Sequence, residues 1–519
     1  MADEEPSPEE EPLVKDEPGT DEKAGADEAK DDSGKESAAE DEKPEKESWA
    51  VGEHDSCFHF PDFIFMIAWI MSVVIVFVCA MSYGISAVEN LDDIIIEVEK
   101  NDDLVAGASY KLLYIPSIAF ATSAVMCFVW LIVMILCGTC IMWSFFIGIF
   151  ALCIAVAIYC FTIYPYVAYA FLAIAGLVAF WGWCIRGRIN FAGKTLEIAC
   201  HVISWYNSLI LMSIVMLVLS GLYLALWVVG FIGLYVYMQY DSDDDDLTGG
   251  VFSELLVYFC FIVFFFWTAE VLKNIVVVSV AGVMANWWKN QEGEGAVVLQ
   301  AFCRASTYNL GAIAMGSLIV AIIKALEAVC DYLAWVSMKA GQWWLTAIIE
   351  GIIFCLSCIQ CCVEWITGYI YTYVGIYGHG FIGGGINVIN LLATNLPTLA
   401  MNDGLVGTVI AIGSVIVGLA SAAVSIVLVE DTDWADSYPG DDPAFSMASF
   451  GWAIGWMVSG VIFGLVLAGN KAVLVLWIEH PKSLQKTHEK YYNDLHHIWT
   501  QELGFKEAGD EDSEKGCCG

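Results

Sequence analysis

The chain has 519 residues, of which 58% are hydrophobic and only 16% charged, with 60 acids against 22 bases and a formal net charge of −38. Soluble domains average ~45–50% apolar and ~25% charged residues, so this composition excludes a soluble enzyme and a secreted disulfide-rich module, and the negative charge excludes a nucleic-acid binder. A mean hydropathy of +0.65, reached despite a nearly all-polar start, points to a polytopic membrane protein.

Residues 1–50 hold 20 acids and 6 bases among Pro, Ala and Ser. They carry too little apolar surface to offset chain entropy, so a disordered acidic tail on the cytosolic side is expected. No basic start followed by a short apolar core is present, so no cleavable signal peptide is expected. A bilayer core needs ~20 apolar residues per helix. Ten stretches meet this: 62–84, 112–135, 139–161, 165–185, 207–238, 251–284, 308–332, 344–366, 404–429 and 447–477. None alternates apolar and polar positions as a barrel strand does. The predicted class is therefore all-α, with about ten transmembrane helices over 51–480 and a cytosolic carboxyl tail over 481–519.

Lysine and arginine fix the orientation. Arg186, Arg188 and Lys194 follow the fourth stretch, Lys289 and Arg304 the sixth, and Lys482, Lys486 and Lys490 the last. The alternate loops at 239–250 and 430–443 carry acids and no base. Both termini are expected in the cytosol, in the plasma membrane or an internal membrane. Two segments fit neither span nor loop. Residues 186–206 alternate basic and apolar positions at helical spacing and predict a helix along the inner interface. Residues 367–403, rich in Gly and aromatics and interrupted by Pro397, predict an interfacial or partly re-entrant stretch.

Ionisable residues inside a span are costly, so each is a candidate for function. In the sixth stretch Glu270 and Lys273 share a helical face beside Asn274 and Trp267. They read either as a self-neutralising pair or as a polar patch on a transport path, with Glu270 the counter-charge of a cation. Lys324, Glu327 and Asp331 share a face towards the far end of the seventh stretch, where long side chains reach the headgroups. Glu350 and Glu364 read as lone carboxylates. A quaternary ammonium offers no N–H donor, so proteins hold it against aromatic faces near a carboxylate. Trp267, Tyr308 and Tyr371 are the candidate faces, and packing or interfacial belts are the competing role for each. Glycines at 407, 413, 418, 451, 455, 460 and 464 predict close helix contacts. The cysteine runs 137–140 and 355–362 lack histidine partners, and no GxxxxGK[ST] loop occurs, so neither a metal, another cofactor nor ATP is expected. Cys517 and Cys518 suit palmitoylation.

Four stretches carry a family resemblance. FWTAEVLKNIVVVSVAGVMANWW, ending at Trp288, and TYNLGAIAMGSLIVAIIKAL (307–326) resemble the sixth and seventh spans of the choline transporter-like family of eukaryotic solute carriers. CLSCIQCCVEWITGYIYTYVGIYGHGF (355–381) resembles its cysteine-rich eighth span and the segment after it, and EHPKSLQKTHEKYYNDL (479–495) its tail. The first outer loop, 86–111, is short and lacks an Asn-x-Ser/Thr acceptor, which is closer to the fungal, plant or protist type. The resemblance implies a non-enzymatic membrane transporter for choline or a related small organic cation, by facilitated movement or exchange with protons. Another amine such as ethanolamine, or a scaffold or receptor that transports nothing, is the alternative. The substrate-binding residues expected are Trp267, Glu270, Asn274, Tyr308 and Tyr371.

Overall fold

The structure is a computed structural model and describes residues 62–84, 105–161, 164–238, 250–290, 296–430 and 443–503. The acidic tail 1–50, most of the predicted loops at 86–111, 239–250 and 430–443, and Cys517–Cys518 lie outside the described residues. Among the described residues there is no strand, and nine helices are long and apolar enough to cross a membrane.

The ten apolar stretches fall on those nine helices. Helix α1 (Phe63–Cys79) runs into a one-turn π-helix, Ala80–Gly84. Helix α2 (Val105–Phe161) absorbs two predicted stretches. Its apolar part, Ile118–Phe161, would extend about 66 Å against a hydrocarbon core of ~30 Å. It breaks at Cys137, whose φ of −137° and ψ of 21° are not helical, between the two predicted stretches. Then follow α3 (Pro165–Cys184), α4 (Arg186–Trp205), α5 (Ser208–Val236), α6 (Gly250–Lys289) and the short α7 (Val297–Ser306). The chain continues through α8 (Leu310–Lys339), α9 (Trp343–Tyr377), α10 (Phe381–Glu430) and α11 (Pro443–Glu479). Large apolar side chains such as Ile64, Phe128, Leu177 and Leu222 stay exposed on the outer helix faces, as a lipid solvent permits.

Both segments that fit neither span nor loop are helical. Helix α4 does not lie on a surface. Ile189, Leu196, Ile198, Ala199, Val202 and Ile203 are fully buried. Its small residues allow this: a Cβ on Gly193 would collide with the Thr139 side chain at the kink of α2. Residues 367–403 are helical on both sides of a short turn. Helix α9 continues to Tyr377 and stops at Gly378, which is left-handed at φ 73°. Helix α10 then starts at Phe381, whose N–H donates to Asp62 Oδ2 at 2.8 Å, and runs unbroken through Pro397. Surrounding helices make an internal proline tolerable in such a span.

Helices α10 and α11 pack backbone to backbone. A Cβ on Gly455 would lie 2.8 Å from Gly418 Cα, and one on Gly451 would lie 2.8 Å from the Ser421 carbonyl. Ser421 also donates to the Ala119 carbonyl of α2 at 2.9 Å, tying a third helix to the pair.

The carboxyl segment folds back onto the bundle as α12 (Pro481–Thr487) and α13 (Glu489–His497), with a final turn at Ile498–Glu502. Lys194 of α4 pairs with Asp494 at 3.2 Å, Thr487 Oγ1 donates to the Trp288 carbonyl at 2.9 Å, and His488 stacks on Trp287 at 3.9 Å. Burial, and then the charge of His201, hold His488 below the ordinary histidine value of 6.5. The unfolded chain therefore takes up a proton at His488 before the docked segment does. Its contribution to docking is full above pH 6.5 and is lost as pH falls through the depressed folded value. Amide protection over 484–497, corrected for intrinsic exchange, is expected to fall between about pH 7.5 and 5.5. His488→Gln should flatten that dependence.

Candidate functional site

A cavity of about 510 Å³ opens where α5, α6, α9 and α11 meet. Its polar wall comes from Glu270 and Asn274 of α6, Glu364 and Tyr371 of α9, and Lys471 of α11. Met216, Leu272 and Leu465 supply apolar wall, and Trp456 a second ring.

Glu270 is 5% exposed and held on both oxygens. Lys273 bridges the carboxylate, 2.6 Å from Oε2 and 2.9 Å from Oε1, Lys324 approaches Oε1 at 2.7 Å, and Asn274 Nδ2 donates to Oε2 at 3.4 Å. Lys324 also reaches Glu364 Oε1 at 2.9 Å, where Gln360 Nε2 donates at 3.1 Å. The result is a chain of alternating charge, Lys273–Glu270–Lys324–Glu364. Its two lysines differ: the Lys273 side chain is 52% exposed and that of Lys324 only 23%. Lys273 is thus the less enclosed of the two and has one carboxylate partner among the described residues, whereas Lys324 is clamped between two carboxylates.

A neutral hydrogen-bonded chain adjoins the charged one. Asn274 Nδ2 donates to Ser317 Oγ at 3.0 Å, and Ser317 shares a hydrogen bond of 3.3 Å with the Tyr371 hydroxyl. Asn274, Ser317 and Tyr371 are all buried, so these bonds fix their orientation.

The structure thus brings Glu270, Asn274 and Tyr371 together on one cavity. Trp267 lies one turn from Glu270 but packs in the interior, 4% exposed, with Nε1 donating to the Ala314 carbonyl of α8 at 2.8 Å. Trp267→Phe is expected to cost about 1–3 kcal/mol of stability through the lost bond and unfilled volume, with KM for the substrate unchanged. A thermal melt paired with uptake kinetics checks both. Tyr308 sits in the connection from α7 to α8, away from the cavity wall, beside Asn309, whose Nδ2 donates to the Val374 carbonyl.

Lys324 does not reach towards headgroups with Glu327 and Asp331. It turns into the bundle because two carboxylates there offer a stronger partner than the interface does. Glu364 is correspondingly not a lone carboxylate. Sequence reasoning also passed over Lys471, buried in α11, and Asp403, buried in α10. A lysine inside the last apolar stretch is itself the signal that finds the first of these.

The cavity residues fall inside residues 169–482, which match the family described as plasma-membrane choline transporter. Protein PNS1 of Yarrowia lipolytica is 26% identical over 337 residues, 63% of this chain and 58% of its own length. Protein PNS1 of Debaryomyces hansenii is 26% identical over 343 residues, 65% of this chain and 67% of its own. Protein PNS1 of Mycosarcoma maydis is 30% identical over 246 residues, 46% of each chain. The matched region spans about three-fifths of the length of the first two fungal relatives. The family match covers more than half of the chain, and this chain belongs to the plasma-membrane choline transporter family.

Proposed function

We propose that the chain is a carrier, not an enzyme, that moves choline or a related small organic cation across the membrane down its electrochemical gradient. The observation that carries this is the cavity beside Glu270, a buried carboxylate whose cavity-side partner, Lys273, is more than half exposed. An entering cation takes the place of Lys273 on Glu270, while Lys324 stays and keeps the carboxylate oriented. The apolar wall and the rings of Tyr371 and Trp456 replace the water shell of the methyl groups, and Asn274 offers a hydrogen bond to a hydroxyl. The volume lies within the roughly 300–1,000 Å³ usual for small-molecule sites. Segregation of Lys and Arg supports an orientation with the acidic first fifty residues and the carboxyl end both in the cytosol, in the plasma membrane or an internal membrane.

Uptake of radiolabelled choline into proteoliposomes with an imposed potential tests this. An inside-negative potential of 100 mV is expected to concentrate choline roughly fiftyfold, the equivalent of ~2.3 kcal/mol per charge. Uptake that instead follows an imposed pH gradient at clamped voltage identifies proton exchange, and preferential competition by ethanolamine reassigns the amine. No flux of any amine removes the carrier reading.

A further inference from the structure

A second polar cluster lies behind the cavity wall. Asp403 of α10, 8% exposed, accepts Trp365 Nε1–H at 2.8 Å and the Tyr369 hydroxyl at 2.9 Å, both on Oδ2. Asn470 Nδ2 reaches Oδ1 at 3.5 Å. The Trp365 and Tyr369 rings meet edge to face with centroids 5.4 Å apart. Into this corner projects Lys471, 7% exposed, its ammonium 4.8 Å from the centre of the Tyr369 ring. Gly368 leaves the room, because a Cβ there would sit 2.5 Å from Lys471 Nζ. Lys471 and Gly368 both line the cavity, so the corner adjoins it.

The partners of Lys471 are unusual for a lysine. An ammonium has three N–H donors, yet the one hydrogen bond it makes among the described residues goes to the Trp365 carbonyl at 3.2 Å. No described carboxylate lies within ion-pair distance of it, since Glu270 and Glu364 are taken by Lys273 and Lys324. A ring face, a nearby carboxylate already oriented by other donors, and a scarcity of acceptors suit an ammonium that has no N–H at all. The pocket chemistry fits a methylated ammonium better than the lysine that fills it.

We propose that Trp365, Tyr369 and Asp403 form a second ammonium-binding station, an inner box that the quaternary head of the substrate reaches after Glu270, and that Lys471 fills it as a tethered stand-in when the carrier is empty. The proposal rests on reading the chain as an organic-cation carrier. Its physical consequence concerns the return step. Without a cation in the box, Asp403 would face the membrane interior uncompensated, which is costly. With Lys471 in place the empty carrier keeps its charge balance and can reorient, so it supports net uptake as well as exchange.

Proteoliposomes containing wild type or Lys471→Gln, assayed in both modes, test this. For Lys471→Gln, the ratio of net choline uptake under an inside-negative potential to exchange against internal unlabelled choline is expected to fall roughly tenfold or more relative to wild type. Tetramethylammonium should raise the melting temperature of Lys471→Gln in detergent more than that of wild type, and Asp403→Asn added to it should abolish the shift. In the lysine-containing protein, Tyr369→Leu should raise KM for choline more than Tyr369→Phe, which keeps the ring. Equal loss of both flux modes, unchanged net uptake, or tetramethylammonium stabilising neither protein overturns the box. Should wild type move no organic cation while tetramethylammonium still favours Lys471→Gln, the box stands and the carrier reading falls.

Discussion

Replacing Glu270 by Gln is expected to lower choline uptake at least about thirtyfold, the equivalent of roughly 2 kcal/mol, while the protein still reaches the membrane. The geometry separates these effects. Lys324 keeps Glu364 as a partner after the substitution, and Lys273 is exposed enough to hydrate, so neither lysine is left buried and unpaired. What disappears is the negative charge on the cavity wall. Lys273→Gln should act in the opposite sense. It removes the displaceable competitor from both oxygens while Lys324 still holds Oε1, so KM for choline is expected to fall about threefold. Initial-rate kinetics in proteoliposomes, normalised to protein incorporated, measure both variants. Uptake that is unchanged in Glu270→Gln would assign the carboxylate to helix insertion alone.

Gly375→Ala should damage the protein from the opposite direction, through packing. Gly375 lies on α9 against α6, and a Cβ there would sit 2.5 Å from the Val278 carbonyl and 2.7 Å from Ala281 Cβ. Backbone atoms cannot rotate away, so the two helices must separate, at a cost of about 1–3 kcal/mol for a single methyl. These helices carry Glu270, Asn274, Glu364 and Tyr371, so flux should fall together with thermal stability. Gly351 of the same helix has nothing within 4 Å of an added Cβ, and Gly351→Ala provides the control that should leave both unchanged. Equal melting temperatures for the two variants would show that α6 and α9 are not in close contact at this level.

Legibility in the sequence differed from residue to residue for identifiable reasons. Glu270 and Asn274 were recognisable because a charge or amide inside an apolar run is conspicuous, and three- or four-residue spacing places them on one face without knowledge of any other helix. Tyr371 was found among many aromatics by its polar surroundings. Trp267 had the same local credentials but turned its indole towards α8, a direction that spacing along α6 does not contain. Pro397 and the glycines near it suggested a broken segment, whereas surrounding helices hold α10 continuous. Helix α4 looked amphipathic by pattern, yet its small residues let it sink among α2, α11 and the carboxyl segment.

The sequence by itself determined the helical class, the approximate positions of the spans and the presence of charge at their centres. These follow from hydropathy summed along one segment, and lipid imposes that condition on each helix separately. Only the tertiary structure decided which charges meet. It joined Lys324 to Glu270 across two helices, and it set Lys471 on the ring of Tyr369 instead of on a carboxylate. Partner choice depends on the rotation and spacing of neighbouring helices. Those are fixed by the fit of many side chains at once, which no single segment encodes.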